Sequence, residues 1–403
     1  MLPVVLGIVL AISLIANLLL AGSLRQANRR ADRLTQRPAT PIASGEPSPA
    51  GGGGELAAVR EIQDQTATVR ELAFTRDLEP EFLSDEELAR DLQTAIPDED
   101  LEAGLPDEEV LKALGMLPSG DDLVDTLRAA AEANVLGYYD PETERLVVRS
   151  GQEALTPLGK ITLSHELTHA VTDQHYDLER VLTGEEPDDV AIGTLALIEG
   201  DATLEMNLWA QQYLSVEEQV QLGLEAATGL LSGEGQLPPG LEALQSFPYL
   251  DGMAFVQYLY EQNGWEAVND AYGDPPSTSE QVLHPEKYLS GETGERVTVE
   301  APIPGSTRFD RGEVGELFLR TLLDVSGVGN AALAADGWDG GAYEALRGPD
   351  GVIVAFALRW DTSADDDAFE DALAGASIGG CVDLAPGGPT DTRFTVYPGT
   401  CRA

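Results

Sequence analysis

Five consecutive residues, His165-Glu166-Leu167-Thr168-His169, constrain this chain more than any other feature. Thr156-Pro157 supplies an N-cap followed by proline at the first helical position. A helix is therefore predicted from there to about Leu178, carrying both histidines. A separation of four residues puts the two rings on one face, about one turn apart. That spacing suits two zinc ligands, and Glu166 lies beside them, placed to exchange a proton with a zinc-activated water. With four histidines in the chain, an accidental match of this form has a probability on the order of 0.4%. A metal site is the better reading.

A catalytic zinc site needs a third protein ligand and one open position. Only two other histidines exist, so a carboxylate is the economical choice. Glu199, in Ala196-Leu-Ile-Glu-Gly-Asp-Ala-Thr-Leu204, sits in an apolar helix predicted from Asp188 to about Leu214, where an unpaired carboxylate is costly to bury. The alternative is an acid on a wetted helix face. Glu205 is the fallback ligand. Gly200 and Ala202 are small and predict close approach to the His helix.

These two segments together resemble the gluzincins, metallopeptidases with thermolysin-like or aminopeptidase-like cores. The likeness runs over roughly Val135–Tyr288, including the Phe255-Val-Gln-Tyr-Leu-Tyr260 helix. It implies an α+β, zincin-like core that hydrolyses peptide bonds, with one Zn2+ held by His165, His169 and Glu199 and with Glu166 as general base. Two departures stand out. The gap from His169 to Glu199 is longer than in the thermolysin and aminopeptidase types. Thr203 also stands four after Glu199, where thermolysin-like enzymes place an aspartate. Asp201 is on nearly the opposite side of the helix, whereas Asp173, four after His169, is on the right face to orient a ligand.

Peptide hydrolysis also needs a donor for the developing oxyanion. His284, between Leu283 and Pro285 in a predicted loop, is the candidate catalytic partner, with Tyr288 behind it. His175, six after His169, reads as structural. Two aromatic or β-branched runs flank a turn at Asp140–Thr143 and predict a hairpin over Val135–Arg149. It is either an ordinary packed strand pair or an edge on which an extended peptide can lie. Trp338 and Trp360 are expected to pack.

Composition bounds the rest. The formal charge is −46, and of 24 basic residues only Lys112, Lys160 and Lys287 are lysines. Such a surface repels nucleic acid and anionic lipid, and suits a salty medium in which self-repulsion is screened. Leu2–Gly22 is apolar and close to the roughly 20 residues a spanning helix needs; residues 1–24 read as a signal anchor or signal peptide. Arg25, Arg29, Arg30, Arg33 and Arg37 follow it, and by the positive-inside rule they place the body in the cytoplasm. Cys381 and Cys401 argue the other way, since a disulfide between them persists only in an oxidising compartment. The weight falls on an extracellular body held at the cell membrane or secreted.

The expected organisation is a Pro/Gly-rich linker over 25–55, a helical region over 56–134, a zincin-like core over 135–295 and an α+β region over 296–403. Within 56–134, helices are predicted near Leu56–Leu72, Ser84–Ala95, Asp107–Leu117 and Asp121–Ala133. A further helix is predicted at Met253–Gln262 and a strand at Val352–Trp360. The expected partner is a peptide or protein substrate. The rival reading is a catalytically silent zinc-binding or scaffold protein of the cell envelope.

Overall fold

A computed structural model describes residues 53–95, 105–150, 156–182, 188–232, 236–299 and 303–401. The apolar segment 1–24 and most of the linker lie outside the described residues, and no helix among those described is long and apolar enough to cross a membrane. The fold mixes helices with two sheets, as an α+β chain should.

Three helices form the centre. Helix α1 (Gly53–Arg70) leads, after strand β1 (Glu81–Leu83), into the short helices α2 (Asp85–Ala95), α3 (Glu108–Leu114) and α4 (Leu123–Asn134). Each cap follows its sequence signal. Asp107 and Asp122 accept from backbone N–H groups at the starts of α3 and α4, and Gly115 ends α3 in the left-handed region, φ 79°. Strands β2 (Gly137–Asp140) and β3 (Arg145–Arg149) form the expected hairpin. The long helix α5 (Pro157–Tyr176) starts where Thr156 accepts from the Gly159 N–H at 3.1 Å. A short turn, α6 (Leu178–Val181), precedes α7 (Asp188–Tyr213) and α8 (Val216–Ser232). Helix α9 (Pro239–Asn263) then packs along α7.

Helix α9 is the largest departure from the sequence reading, which began it at Met253. Pro248 lies inside it, and a proline costs an interior helix one hydrogen bond and a ring clash, about 3 kcal/mol or more. Burial outweighs that cost. Leu241, Leu244, Phe247, Tyr249, Phe255, Val256 and Leu259 all face the core, each contributing roughly 1.5–3 kcal/mol.

Strand β1 pairs parallel with β3, giving a three-stranded sheet in the order β1-β3-β2. The region before residue 135 therefore contributes a strand to the sheet beside α5, as well as helices. After α10 (Trp265–Ala271), α11 (Ser279–Leu283) and α12 (Pro285–Ser290) comes the second sheet. It holds β4 (Thr307–Glu313), β5 (Trp338–Gly348), β6 (Gly351–Trp360), β7 (Cys381–Ala385) and β8 (Asp391–Tyr397) in the antiparallel order β4-β5-β6-β8-β7. Helices α13 (Glu316–Val325), α14 (Ala331–Ala335) and α15 (Ser363–Gly375) belong to the same region. Cys381 and Cys401 are joined in a disulfide, and Trp338 and Trp360 are buried in the core.

Candidate metal centre

Helix α5 carries His165, Glu166 and His169, and α7 crosses it with Glu199. All four are buried, at 0, 2, 1 and 0% exposure. The Nε2 atoms of His165 and His169 lie 3.0 Å apart. Glu199 Oε2 is 3.1 Å from the first and 3.4 Å from the second. A tetrahedral zinc with ligand bonds of about 2.0–2.1 Å requires its ligand atoms to lie about 3.3 Å apart. The triangle is already that size, so these three residues fit a zinc ion without rearrangement.

The electrostatics agree. Two ring nitrogens at 3.0 Å need a proton between them when no cation is present. Burial opposes charge on His169, but the adjacent Glu199 carboxylate raises its pKa to about 9. Burial lowers that of His165. Burial likewise opposes charge on Glu199, yet the two histidines hold it down at about 2. A metal cation would take over the role of that proton.

Glu166 points elsewhere. Its Oε2 accepts the Tyr139 N–H of β2 at 2.9 Å, and Oε1 finds no partner among the described residues. Burial raises its pKa to about 8, against an opposing pull from His169. The hairpin register explains the contact. Leu136 O accepts the Arg149 N–H, so Gly137 and Tyr139 turn their backbone groups away from β3, towards the open edge of the sheet.

Three sequence-named neighbours take other roles. Asp173 accepts the Tyr139 hydroxyl at 2.8 Å and the Leu178 N–H at 2.9 Å; it fixes the strand that touches Glu166, while His169 Nδ1 has no partner among the described residues. Glu205 lies outside the triangle, 2.7 Å from Ser164 Oγ and 3.0 Å from Thr168 Oγ1. Burial raises its pKa to about 8, against the pull of the Ser164 and Thr168 hydroxyls, which both donate to its Oε2. Asp201 is held by Arg70 at 2.7 and 3.0 Å and by the Tyr272 hydroxyl at 2.7 Å. Arg70 is itself buried, donates to Asn269 and lies over the Trp265 ring. That network bolts α1 and α10 to α7 two residues from Glu199.

His284 is not brought into this cluster. It pairs with Glu316 at 3.0 Å and Asp336 at 3.6 Å, against α13 and the end of α14. Tyr288 donates to Asp274 O and packs its ring on Phe255. His175 donates to Ala73 O, a structural contact.

The residue that sequence reasoning missed is Tyr249 on α9. It is 1% exposed, and its ring stacks on His165 with centroids 6.1 Å apart. Its hydroxyl makes no well-formed hydrogen bond among the described residues. Burial, then the charges of Glu199 and Glu166, raise its pKa well above the ordinary tyrosine value. The hydroxyl is therefore a neutral donor beside the two site carboxylates. What brings it there is the crossing of α7 and α9. A Cβ on Gly200 would sit 2.3 Å from the Gly252 carbonyl, and one on Gly252 would sit 2.3 Å from Ala196 O. Gly200 thus admits α9, where the sequence reading had it admit the His helix. Ala196 and Gly200, three before and one after Glu199, and Gly252, three after Tyr249, were the available signal.

A second carboxylate group, Glu280, Glu292 and Asp361, has ligand atoms close enough for a metal. The Lys287 ammonium already sits among them at 2.6–2.7 Å.

A family described as a domain of unknown function (DUF8575) matches residues 301–378, within the region of the second sheet. No curated protein and no solved structure matches the chain.

Proposed function

We propose that this chain is a zinc-dependent metallopeptidase of zincin-like, gluzincin type, tethered or secreted through its apolar N-terminus with its body on the oxidising side of the membrane. The observation that carries the reading is the ligand triangle of His165, His169 and Glu199, with edges of 3.0, 3.1 and 3.4 Å, flanked by Glu166 and Tyr249. A zinc ion held there would polarise a water and a peptide carbonyl. Glu166, buried on the same helix beside the triangle, would remove the water's proton and return it to the leaving amine. Tyr249 donates its hydroxyl to the oxygen that gains charge. Tyr139 N–H holds Glu166 in place, which leaves the outward backbone groups of Gly137 and the Tyr139 carbonyl to pair with an extended substrate.

Burial of the whole site at 0–2% favours a second reading, a structural or silent zinc site. Ligand number argues against it. Structural zinc sites are closed by four protein ligands, and the group here has three among the described residues. Replacing Glu166 by Gln separates the readings. The peptidase predicts full zinc content with peptide hydrolysis reduced at least a hundredfold; unchanged hydrolysis, or a wild type with no peptidase activity and tightly held zinc, contradicts it.

A further inference from the structure

Helix α8 exposes a row of apolar side chains at intervals of four: Val216 at 71%, Val220 at 60% and Leu224 at 65%. Residues four apart share one helix face, so this is a continuous apolar strip on a chain whose surface is otherwise strongly acidic. Acids flank it, namely Glu217 and Glu225, while Glu218 is already paired with Lys160. An anionic lipid surface is therefore a poor match, and so is the same helix of a second copy.

The topology places the strip near the start of the described chain. Lys160 pairs with Glu218 at 2.6 Å, tying the beginning of α8 to the beginning of α5. Thr66 meets Ser164, and Thr75 meets Gln174. From Thr66 in α1 to Thr75, five residues past its end, the chain runs in the same direction as α5, against which α1 packs, so the first residues of α1 lie towards the end where α8 begins. The 52 residues before Gly53 must leave from there.

That preceding stretch contains a complementary pattern. Leu24, Ala27, Ala31 and Leu34 recur at steps of three, four and three, and Arg25, Arg29, Arg30 and Arg33 fall between them. Apolar positions match the apolar strip, and arginines match the flanking glutamates. We propose that the strip on α8 is the docking surface for this chain's own segment Leu24–Leu34. The Pro/Gly-rich stretch from Leu34 to Gly53 spans roughly 24 Å on average, against a length of about 25 Å for α8. Tethering at that distance gives an effective concentration in the millimolar range, so a weak contact is enough to hold the segment. The contact survives either fate of the apolar N-terminus, because the segment begins after Ser23. In the anchored form it holds the body close to the bilayer.

The test is site-specific photocrosslinking in the full chain in native membranes, with p-benzoylphenylalanine in place of Val220 and, separately, of Val216. The expected adduct joins either position to peptides covering Leu24–Leu34. The triple substitution Arg29→Glu, Arg30→Glu and Arg33→Glu should reduce its yield at least tenfold. Adducts to lipid, to a second copy or to any other part of the chain overturn the proposal, as does a yield that charge reversal leaves unchanged.

Discussion

Each residue of the candidate centre has a separable effect. Glu199→Ala removes one corner of the ligand triangle and should abolish stoichiometric zinc binding. Glu205→Ala should leave zinc binding intact, because that carboxylate faces Ser164 and Thr168; equal zinc loss in both variants would remove Glu199 from the assignment. Tyr249→Phe should lower kcat about 10²–10³-fold with zinc content unchanged, and an unaltered kcat would reduce Tyr249 to a packing residue. The histidine pair was legible in the sequence because helical spacing alone puts the two rings on one face, with Glu166 in the next position. Tyr249 was not, since it lies 80 residues beyond His169 in sequence and only the crossing of two helices brings it to His165. His284 misled for the opposite reason: a histidine in a loop advertises chemistry, but Glu316 on a distant helix accounts for it.

The helices that carry these residues are coupled through close backbone approach. Gly200→Ala puts a methyl group 2.3 Å from the α9 backbone, so the helices must separate. Calorimetry should show a loss of about 1–3 kcal/mol, and zinc affinity should fall with it because Glu199 is the adjacent residue. Little change in either measurement would mean that the crossing does not position the site. Between α5 and α7, Glu205 gives a pH signature. Its folded pKa, raised by burial to about 8, exceeds the unfolded value of about 4.3, so the folded state binds the extra proton. Stability from this group is present below about pH 4 and declines as pH rises towards 8. Glu205→Gln should therefore be more stable than wild type at pH 8, by at least about 1 kcal/mol, and equal to it near pH 4; a less stable variant at pH 8 would show that Glu205 is ionised in the fold. The helix start at Thr156 was readable from its cap, because capping is local chemistry. The first half of α9 was not, because Pro248 breaks the local rule and only tertiary burial restores the helix.

At the scale of the molecule, the charge of −46 sets the response to salt. Raising ionic strength from 0.1 to 1 M shortens the screening length from about 10 Å to 3 Å, which relieves self-repulsion more than it weakens exposed ion pairs worth about 0–1 kcal/mol each. Tm should rise with added KCl, and a fall would show that the surface pairs dominate. The disulfide closes a loop with a sequence separation of 20, so replacing both cysteines by serine should cost about 3 kcal/mol. The α+β character was legible from alternating and helical patterns. The order of the second sheet, and the parallel pairing of β1 with β3, were not, because strand pairing depends on contacts between segments far apart in sequence. The reading of the site rests on the metal. The decisive measurement is the zinc content of the purified, undialysed full chain beside that of His165→Ala. The account predicts about one zinc per wild-type chain and none in the variant; a wild type that carries no zinc and takes up none when it is supplied contradicts it.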